Sequence, residues 1–77
     1  MTAHFPDPSK SEQTRTRILA RVIEEPGCPT LELSDDLGLS EASVRKHLLV
    51  LLALGLVTTR EVRNRRGVRL AIWRAVT

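Results

Sequence analysis

The stretch Thr30–Val57, TLELSDDLGLSEASVRKHLLVLLALGLV, decides the fold of this 77-residue chain. Thr30 has a side chain suited to a helix N-cap, and the residues after it predict a short helix over 31–37. The apolar positions of this helix are Leu31, Leu33 and Leu37. A short amphipathic helix therefore begins the stretch.

A tight turn and a second helix follow within the same stretch. Gly38 supplies the permissive backbone that ends the first helix, and Leu39 is expected to fill the space between the two helices. Ser40 predicts the N-cap of a helix over 41–54, which Gly55 ends. A helix, a short turn and a second helix form the arrangement that lays the second helix in the major groove of DNA.

Downstream of this motif the pattern changes from helical to alternating. Residues 57–62 (VTTREV) and 68–73 (VRLAIW) are rich in β-branched side chains and predict two strands. Between them, residues 63–67 (RNRRG) contain an asparagine and a glycine that suit the turn of a β-hairpin. A hairpin with a basic tip directly after a helix-turn-helix is called a wing, and we place it at residues 60–69.

Upstream of the motif, Ser9–Glu12 fits a capping box and predicts a first helix that runs to about Glu24. Four aliphatic side chains are expected to be buried by this helix: Ile18, Leu19, Val22 and Ile23. Cys28–Pro29 is an extended connection that suits a small strand pairing with the hairpin. Residues 1–8, with two prolines, predict a flexible arm.

The length and composition are those of one small globular domain. We expect residues 9–77 to fold as a single α+β domain, a three-helix winged helix-turn-helix with a C-terminal β-hairpin wing. With 42% hydrophobic and 27% charged residues, the chain is typical of an ordered domain. Its single cysteine excludes an internal disulfide, and no apolar run approaches the ~18 residues of a membrane span. These features predict a cytoplasmic protein, without a signal peptide and without a membrane partner.

The charge of the chain is concentrated at one end. Residues 60–77 contain six arginines and one acidic residue, whereas residues 1–59 contain six basic and eight acidic residues. A basic terminal third on a nearly neutral body is typical of a protein that contacts phosphates with its wing. The alternative is that the arginines of the hairpin tip only keep it soluble and do not contact phosphates.

Four short motifs carry a resemblance to a known family: 37–40 (LGLS), 44–48 (VRKHL), Leu51 and 55–57 (GLV). They are similar to the winged helix-turn-helix regulators of the ArsR and MarR type, whose pattern is LGLS-x-x-x-V-x-x-H-L-x-x-L-x-x-x-GLV. Arg66-Gly67 and the segment 72–74 (IWR) match the ending of that family's wing. The resemblance covers about residues 14–76 and implies a winged-helix fold and double-stranded DNA as the partner.

Two departures from the family limit what the resemblance implies. Metal sensors of the ArsR type carry a cysteine pair in the helix before the recognition helix, and residues 32–37 (ELSDDL) contain none. Glu32, Asp35 and Asp36 are therefore expected to form a solvated acidic face, and we expect no metal site and no cofactor. The relatives dimerise through additional terminal helices, which we do not expect here, and we therefore expect a monomer or weak dimer in free solution that pairs cooperatively on DNA. The expected self-association surface is the first helix around Ile18 and Ile23, with Phe5 of the arm.

The helix over 41–54 has two distinct faces at 100° per residue. Val44, Leu48 and Leu51 cluster on the core side. The additional leucines of this helix, Leu52 and Leu54, are also expected to pack in the core. The outward arc contains Ala42, Lys46, Leu49 and Ala53. An exposed Leu49 is expected either to be incidental or to form an apolar patch for a partner.

The expected DNA contacts come from the start of this helix and from the wing. Alanine can contact a thymine methyl group, serine can donate or accept, and lysine can donate to guanine. The expected DNA-binding residues are Ser40, Ala42, Ser43, Arg45, Lys46, His47, Arg60, Arg63, Asn64, Arg65 and Arg66. For three of these residues there is an alternative to DNA contact. Lys46 is then only solvated, Ser43 is an incidental helix residue, and His47 forms a structural hydrogen bond. His47 is not expected to be a metal ligand, since His4 belongs to the predicted arm and Cys28 stands alone.

These observations favour a repressor-like transcriptional regulator that binds double-stranded DNA by sequence in the cytoplasm, associated with the nucleoid. An enzyme is not expected, because no nucleophile–base pair, no Gly-rich phosphate loop and no small-molecule site is evident. Two alternatives remain open. One is a winged-helix protein–protein interaction module, and the other is an architectural or replication factor with little sequence preference.

Overall fold

The computed structural model describes residues 10–76, which form three helices and one three-stranded antiparallel sheet. In chain order the elements are α1 (Lys10–Glu24), β1 (Cys28–Pro29), α2 (Thr30–Leu37), α3 (Glu41–Ala53), β2 (Val57–Arg63) and β3 (Arg69–Ala75). The predicted fold class is confirmed. The predicted arm at 1–8 and the Ser9 cap lie outside the described residues.

The core lies where the three helices meet one face of the sheet. It is built from aliphatic side chains of all three helices and of β2, together with one thiol and one indole: Ile18, Val22, Cys28, Leu33, Val44, Leu48, Leu51, Val57 and Trp73. The core side of α3 is therefore the predicted one. Trp73 is only 3% exposed, so the wing contributes directly to the core.

The sheet joins the hairpin to the segment before α2. Its order is β1-β3-β2, with Cys28 opposite Trp73 in one ladder and Val57 opposite Ala75 in the other. The two-residue strand at Cys28–Pro29 is thus confirmed. Because β3 is the central strand, hydrogen bonds on both sides hold the base of the wing against the helices.

The turn between α2 and α3 has the predicted chemistry. Gly38 ends α2 in the left-handed conformation, with φ 66°, and the Leu39 N–H donates to the carbonyl of Ser34 at 3.0 Å. Leu39 packs against the core as expected. Ser40 accepts a hydrogen bond of 3.1 Å from the backbone N–H of Ser43, so it is the N-cap of α3.

The predicted role of Thr30 is wrong. Thr30 is the first residue of α2 rather than its cap, and Pro29 takes the N-cap position without a side-chain hydrogen bond. The Thr30 hydroxyl is buried and accepts a hydrogen bond from Trp73 Nε1–H at 2.8 Å. A tertiary partner 43 positions away along the chain has replaced the local capping bond.

Three aliphatic residues expected in the core are exposed instead. Ile23 is 58% and Leu54 is 63% exposed, and the third is Leu52. Leu31, an apolar position of the predicted second helix, is exposed as well. In so small a domain each helix contacts its neighbours along a narrow stripe, so only Ile18 and Val22 of α1 are buried. Leu19 and Leu37 are partly buried against the core.

Candidate nucleic-acid interface

The N-terminal half of α3 presents small and basic side chains to solvent. Ala42 and Lys46 are exposed, and Ser43 is half-buried while its backbone N–H is held by Ser40. Leu49 is 53% exposed on the same outward arc, as its spacing predicts. This half of the helix therefore offers a hydroxyl, a methyl group and an ammonium group along one face.

Arg45 extends this face but has a neighbour on its own helix. Its guanidinium lies 3.6 Å from the Glu41 carboxylate, one turn earlier, and both side chains are largely exposed. An exposed pair at this spacing contributes only about 0.3–0.5 kcal/mol. Arg45 can therefore leave Glu41 for a phosphate at little cost.

His47 lies between the outward face of α3 and helix α1. Burial lowers the pKa of its imidazole below the usual 6.5, and the positive charges of Arg15 and Lys46 lower the pKa further. Within residues 10–76, His47 Nδ1 and Arg15 Nε are buried without a hydrogen-bond partner. The neutral imidazole with its proton on Nε2 fits these surroundings, because a proton on Nδ1 would be buried beside a cation.

The tip of the wing is organised by Asn64. Its side-chain Oδ1 accepts backbone N–H bonds from Arg66 at 2.9 Å and from Val68 at 3.0 Å, while Gly67 takes a positive φ of 77°. The side chains of Arg63, Arg65 and Arg66 are exposed around this turn. Within the described part of the chain, no ion pair is formed by these three arginines.

The remaining arginines of the wing differ from those at the tip. Arg69 Nε lies 3.4 Å from the Glu61 carboxylate, which partly offsets its charge. Arg60 is exposed but lies opposite Ile72 in the ladder, three residues before Arg63. Since side chains alternate along a strand, Arg60 and Arg63 lie on opposite faces of the sheet. The structure therefore separates Arg60 from the cluster at the tip.

A shallow cleft connects α3 to the wing. Its volume is about 280 Å³, and Glu41 and Arg45 line it from the helix while Val68 and Arg69 line it from the hairpin. The first turns of α3 and the base of the wing tip therefore flank the same surface. The cleft is also lined by the apolar Leu31 and Leu70, and its two basic side chains, Arg45 and Arg69, suit a phosphate backbone.

Sequence reasoning missed a cluster around Cys28. The sulfur of Cys28 and carboxylate oxygens of Glu25 and Glu32 all lie within 4.8 Å of one another, so Cys28 does not stand alone. The Glu25 carboxylate raises the pKa of Glu32. Arg21 already neutralises this region, at 2.8 Å from Glu25 and 2.7 Å from Asp36, so the predicted acidic face is partly ion-paired. Only the three-dimensional turn at 25–29 brings these residues together.

Comparison with known proteins identifies the fold and its partner. The family model of winged helix-turn-helix DNA-binding domains matches residues 11–58, which is more than half of the chain. The chain belongs to the winged helix-turn-helix DNA-binding family. A search of curated proteins finds no match.

The match to the winged helix-turn-helix family covers α1, α2 and α3 and ends at the start of β2. Membership makes DNA the partner of this domain, and domains of this family are typically not catalytic. Within residues 10–76, no helix combines the length and apolar character needed to cross a membrane.

Proposed function

We propose that this protein is a transcriptional regulator that recognises double-stranded DNA by sequence, resembles the ArsR and MarR type, and represses by occupying its site. The observation that carries the proposal is the shared surface of α3 and the wing. Arg45 and Arg69 line one cleft from these two elements. A duplex lying along that cleft would meet the helix in its major groove and the wing at its backbone.

Specificity is assigned to the first turns of α3. Ala42, Ser43 and Lys46 present a methyl group, a hydroxyl and an ammonium group, the groups that read thymine and guanine edges. Ser40 and the N-terminus of α3 suit a phosphate, because the backbone N–H groups there are only partly satisfied. Arg45 and His47 flank this reading surface.

Affinity is assigned mainly to the wing. Arg63, Arg65 and Arg66 are exposed cations around the tip, and Asn64 keeps only its amide N–H groups for an outside acceptor. Arg60, on the other face of the hairpin, would contribute through the long-range field. These contacts position the protein on DNA without reading the sequence.

Location and chemistry follow from this role. A regulator of this kind acts in the cytoplasm, associated with the nucleoid, and needs neither catalysis nor a cofactor. A single module reads few base pairs, so the proposal includes two copies on two half-sites about one helical turn apart.

The decisive experiment selects binding sites from random duplexes with the purified protein at defined salt. We expect one enriched motif. The Lys46→Ala variant should bind this motif with a free energy weaker by about 1–3 kcal/mol, and its base preference should relax at one position of the site. Lys10→Ala removes the same charge from α1, outside the reading surface, and is the matched control. Binding without an enriched motif would instead indicate an architectural or replication factor.

A protein–protein interaction module is the second candidate, and Leu49 favours it. This leucine is 53% exposed at the centre of the outward arc, where a reader of bases is more often polar. Absence of salt-dependent binding to any duplex would support this candidate and contradict the regulator.

A further inference from the structure

Helix α3 has two edges beside its outward face, and each edge has a different neighbour. Arg45 and His47 lie about 200° apart around the helix at 100° per residue, with Lys46 between them on the outward face. Arg45 lines the cleft toward the wing together with Arg69. His47 lies toward α1, where Arg15 is close enough to lower the pKa of its imidazole. The outward face of α3 is therefore flanked by the wing on one side and by Arg15 on the other.

The edge of α3 toward α1 contains two polar atoms whose bonding is incomplete. Arg15 Nε and His47 Nδ1 are buried without a hydrogen-bond partner among residues 10–76. In the same part of the chain, no ion pair involves Arg15. Buried polar groups of this kind are rare, and binding of an ion is one of their ordinary explanations. Arg15 is also half-buried, so its orientation is more restricted than that of a fully exposed arginine.

The charges at this edge have the same sign. The charged groups that shift the pKa of His47 are Arg15 and Lys46, and both are cations. Cations held near one another repel, and an anion that binds beside them offsets this repulsion. The neutral imidazole of His47 adds an uncharged N–H donor at Nε2. Two cations and one donor at a single edge suit an anionic ligand, and a DNA phosphate is the anion that this family meets.

We propose that Arg15 and His47 bind a DNA phosphate on the strand opposite to the one that Arg45 contacts. The two phosphate backbones form the walls of the major groove, which is about 12 Å wide, and a helix with its side chains is about 10–12 Å across. A helix lying in the groove therefore presents each of its edges to a different strand. The proposal rests on the proposed function, because it requires α3 to lie in the major groove.

Contacts to both strands would fix the position of α3 between the two backbones. Phosphate contacts set the register and orientation of a protein on DNA without reading its sequence. Loss of Arg15 should therefore weaken binding to the selected site and to random duplexes by the same factor. Loss of Lys46, in contrast, should change the base preference.

The salt dependence of binding to a random-sequence duplex tests Arg15 without a selected site. Arg15→Gln keeps part of the side-chain stem, removes the charge, and should lower the slope of log affinity against log salt by about 0.9. Arg15→Lys keeps the charge and should retain the wild-type slope. Arg17→Gln is the matched control, because Arg17 is exposed on the same helix about 200° away from Arg15. Circular dichroism checks that each variant is folded.

Single uncharged methylphosphonate linkages, placed in turn along both strands of the selected site, identify the phosphate. Wild-type protein should lose affinity at one linkage to which Arg15→Gln is insensitive. The linkage identified in the same way with Arg45→Gln should lie on the other strand. A wild-type slope for Arg15→Gln, or assignment of both arginines to one strand, would overturn the inference.

The two proposals fail in different ways. If site selection yields no enriched motif while Arg15→Gln still lowers the salt slope, the sequence-specific regulator is overturned and the phosphate contact is supported. If a motif is enriched and Arg15→Gln binds it like the wild type, only the phosphate contact is overturned. Absence of binding to any duplex would overturn both.

Discussion

The indole Nε1–H of Trp73 donates a hydrogen bond of 2.8 Å to the hydroxyl of Thr30, so the wing is tied to the first turn of α2. The same hydroxyl lies 3.4 Å from the carbonyl oxygen of Ala71, a longer contact to the same strand. Both residues of the bond are buried. A polar contact inside the core thus joins the hairpin to the helix-turn-helix, in addition to the pairing of β1 with β3.

Replacing Thr30 by valine should destabilise the protein by roughly 1–3 kcal/mol, because the buried indole N–H would lose its acceptor. Chemical denaturation followed by circular dichroism measures this change. Thr58→Val is the control, since Thr58 is an exposed β-branched residue of β2. Equal stability of the two variants would show that the Thr30–Trp73 bond does not stabilise the fold.

Replacing Arg63, Arg65 and Arg66 together by alanine should weaken binding to all DNA sequences. Each phosphate that the variant no longer neutralises should lower the slope of log affinity against log salt by about 0.9. Titrations at several salt concentrations give the slope, and Arg17→Ala, at an exposed position of α1, is the control. If the triple variant keeps the wild-type slope, the wing does not contact phosphates.

The stability of the protein should fall in mild acid because of His47. Burial, Arg15 and Lys46 lower the pKa of His47 below 6.5, so the unfolded chain takes up a proton before the folded one does. The contribution of His47 is therefore complete above about pH 6.5 and is lost as the pH falls toward the folded pKa.

Unfolding free energies measured across this range for wild type and His47→Gln check the effect. The variant should show a smaller loss in acid than the wild type. His4→Gln removes the other histidine of the chain and is the control. Identical pH profiles for wild type and His47→Gln would contradict the assignment.

Cys28 should react slowly with thiol reagents while the protein is folded. Burial, followed by the charges of Glu32 and Glu25, raises the pKa of its thiol to about 11, so little thiolate is present near neutral pH. Alkylation by iodoacetamide should be slow in buffer and fast in denaturant. Comparable rates in both would mean that the turn before α2 opens readily.

The sequence predicts the parts of this fold that depend on neighbouring residues. Gly38 ends α2 and Ser40 caps α3 through bonds between residues three to five positions apart, and the spacing of Val44 and Leu48 follows from the helical period. Thr30 could not be assigned in this way, because its partner lies on β3.

The same limit applies to the candidate site and to the exposed leucines. The positions of Lys46 and the arginines of the tip follow from local pattern, but the cleft that joins α3 to the wing depends on how the hairpin packs. Leu54 is exposed because the core of a small domain ends before it, which the helical period alone does not indicate. The cluster of Glu25 with Cys28 could not be predicted from local pattern either, because the turn between α1 and α2 brings these residues together.

The hydrogen bonds of Asn64 make the wing tip a self-contained loop. Its Oδ1 holds the backbone of Arg66 and Val68, and no residue outside the hairpin takes part in these bonds. Substitutions can therefore change the number of positive charges on the loop during evolution without changing the structure of the rest of the domain. The charge of the loop can thus be tuned separately from the core of the domain, as long as Asn64 keeps the shape of the tip.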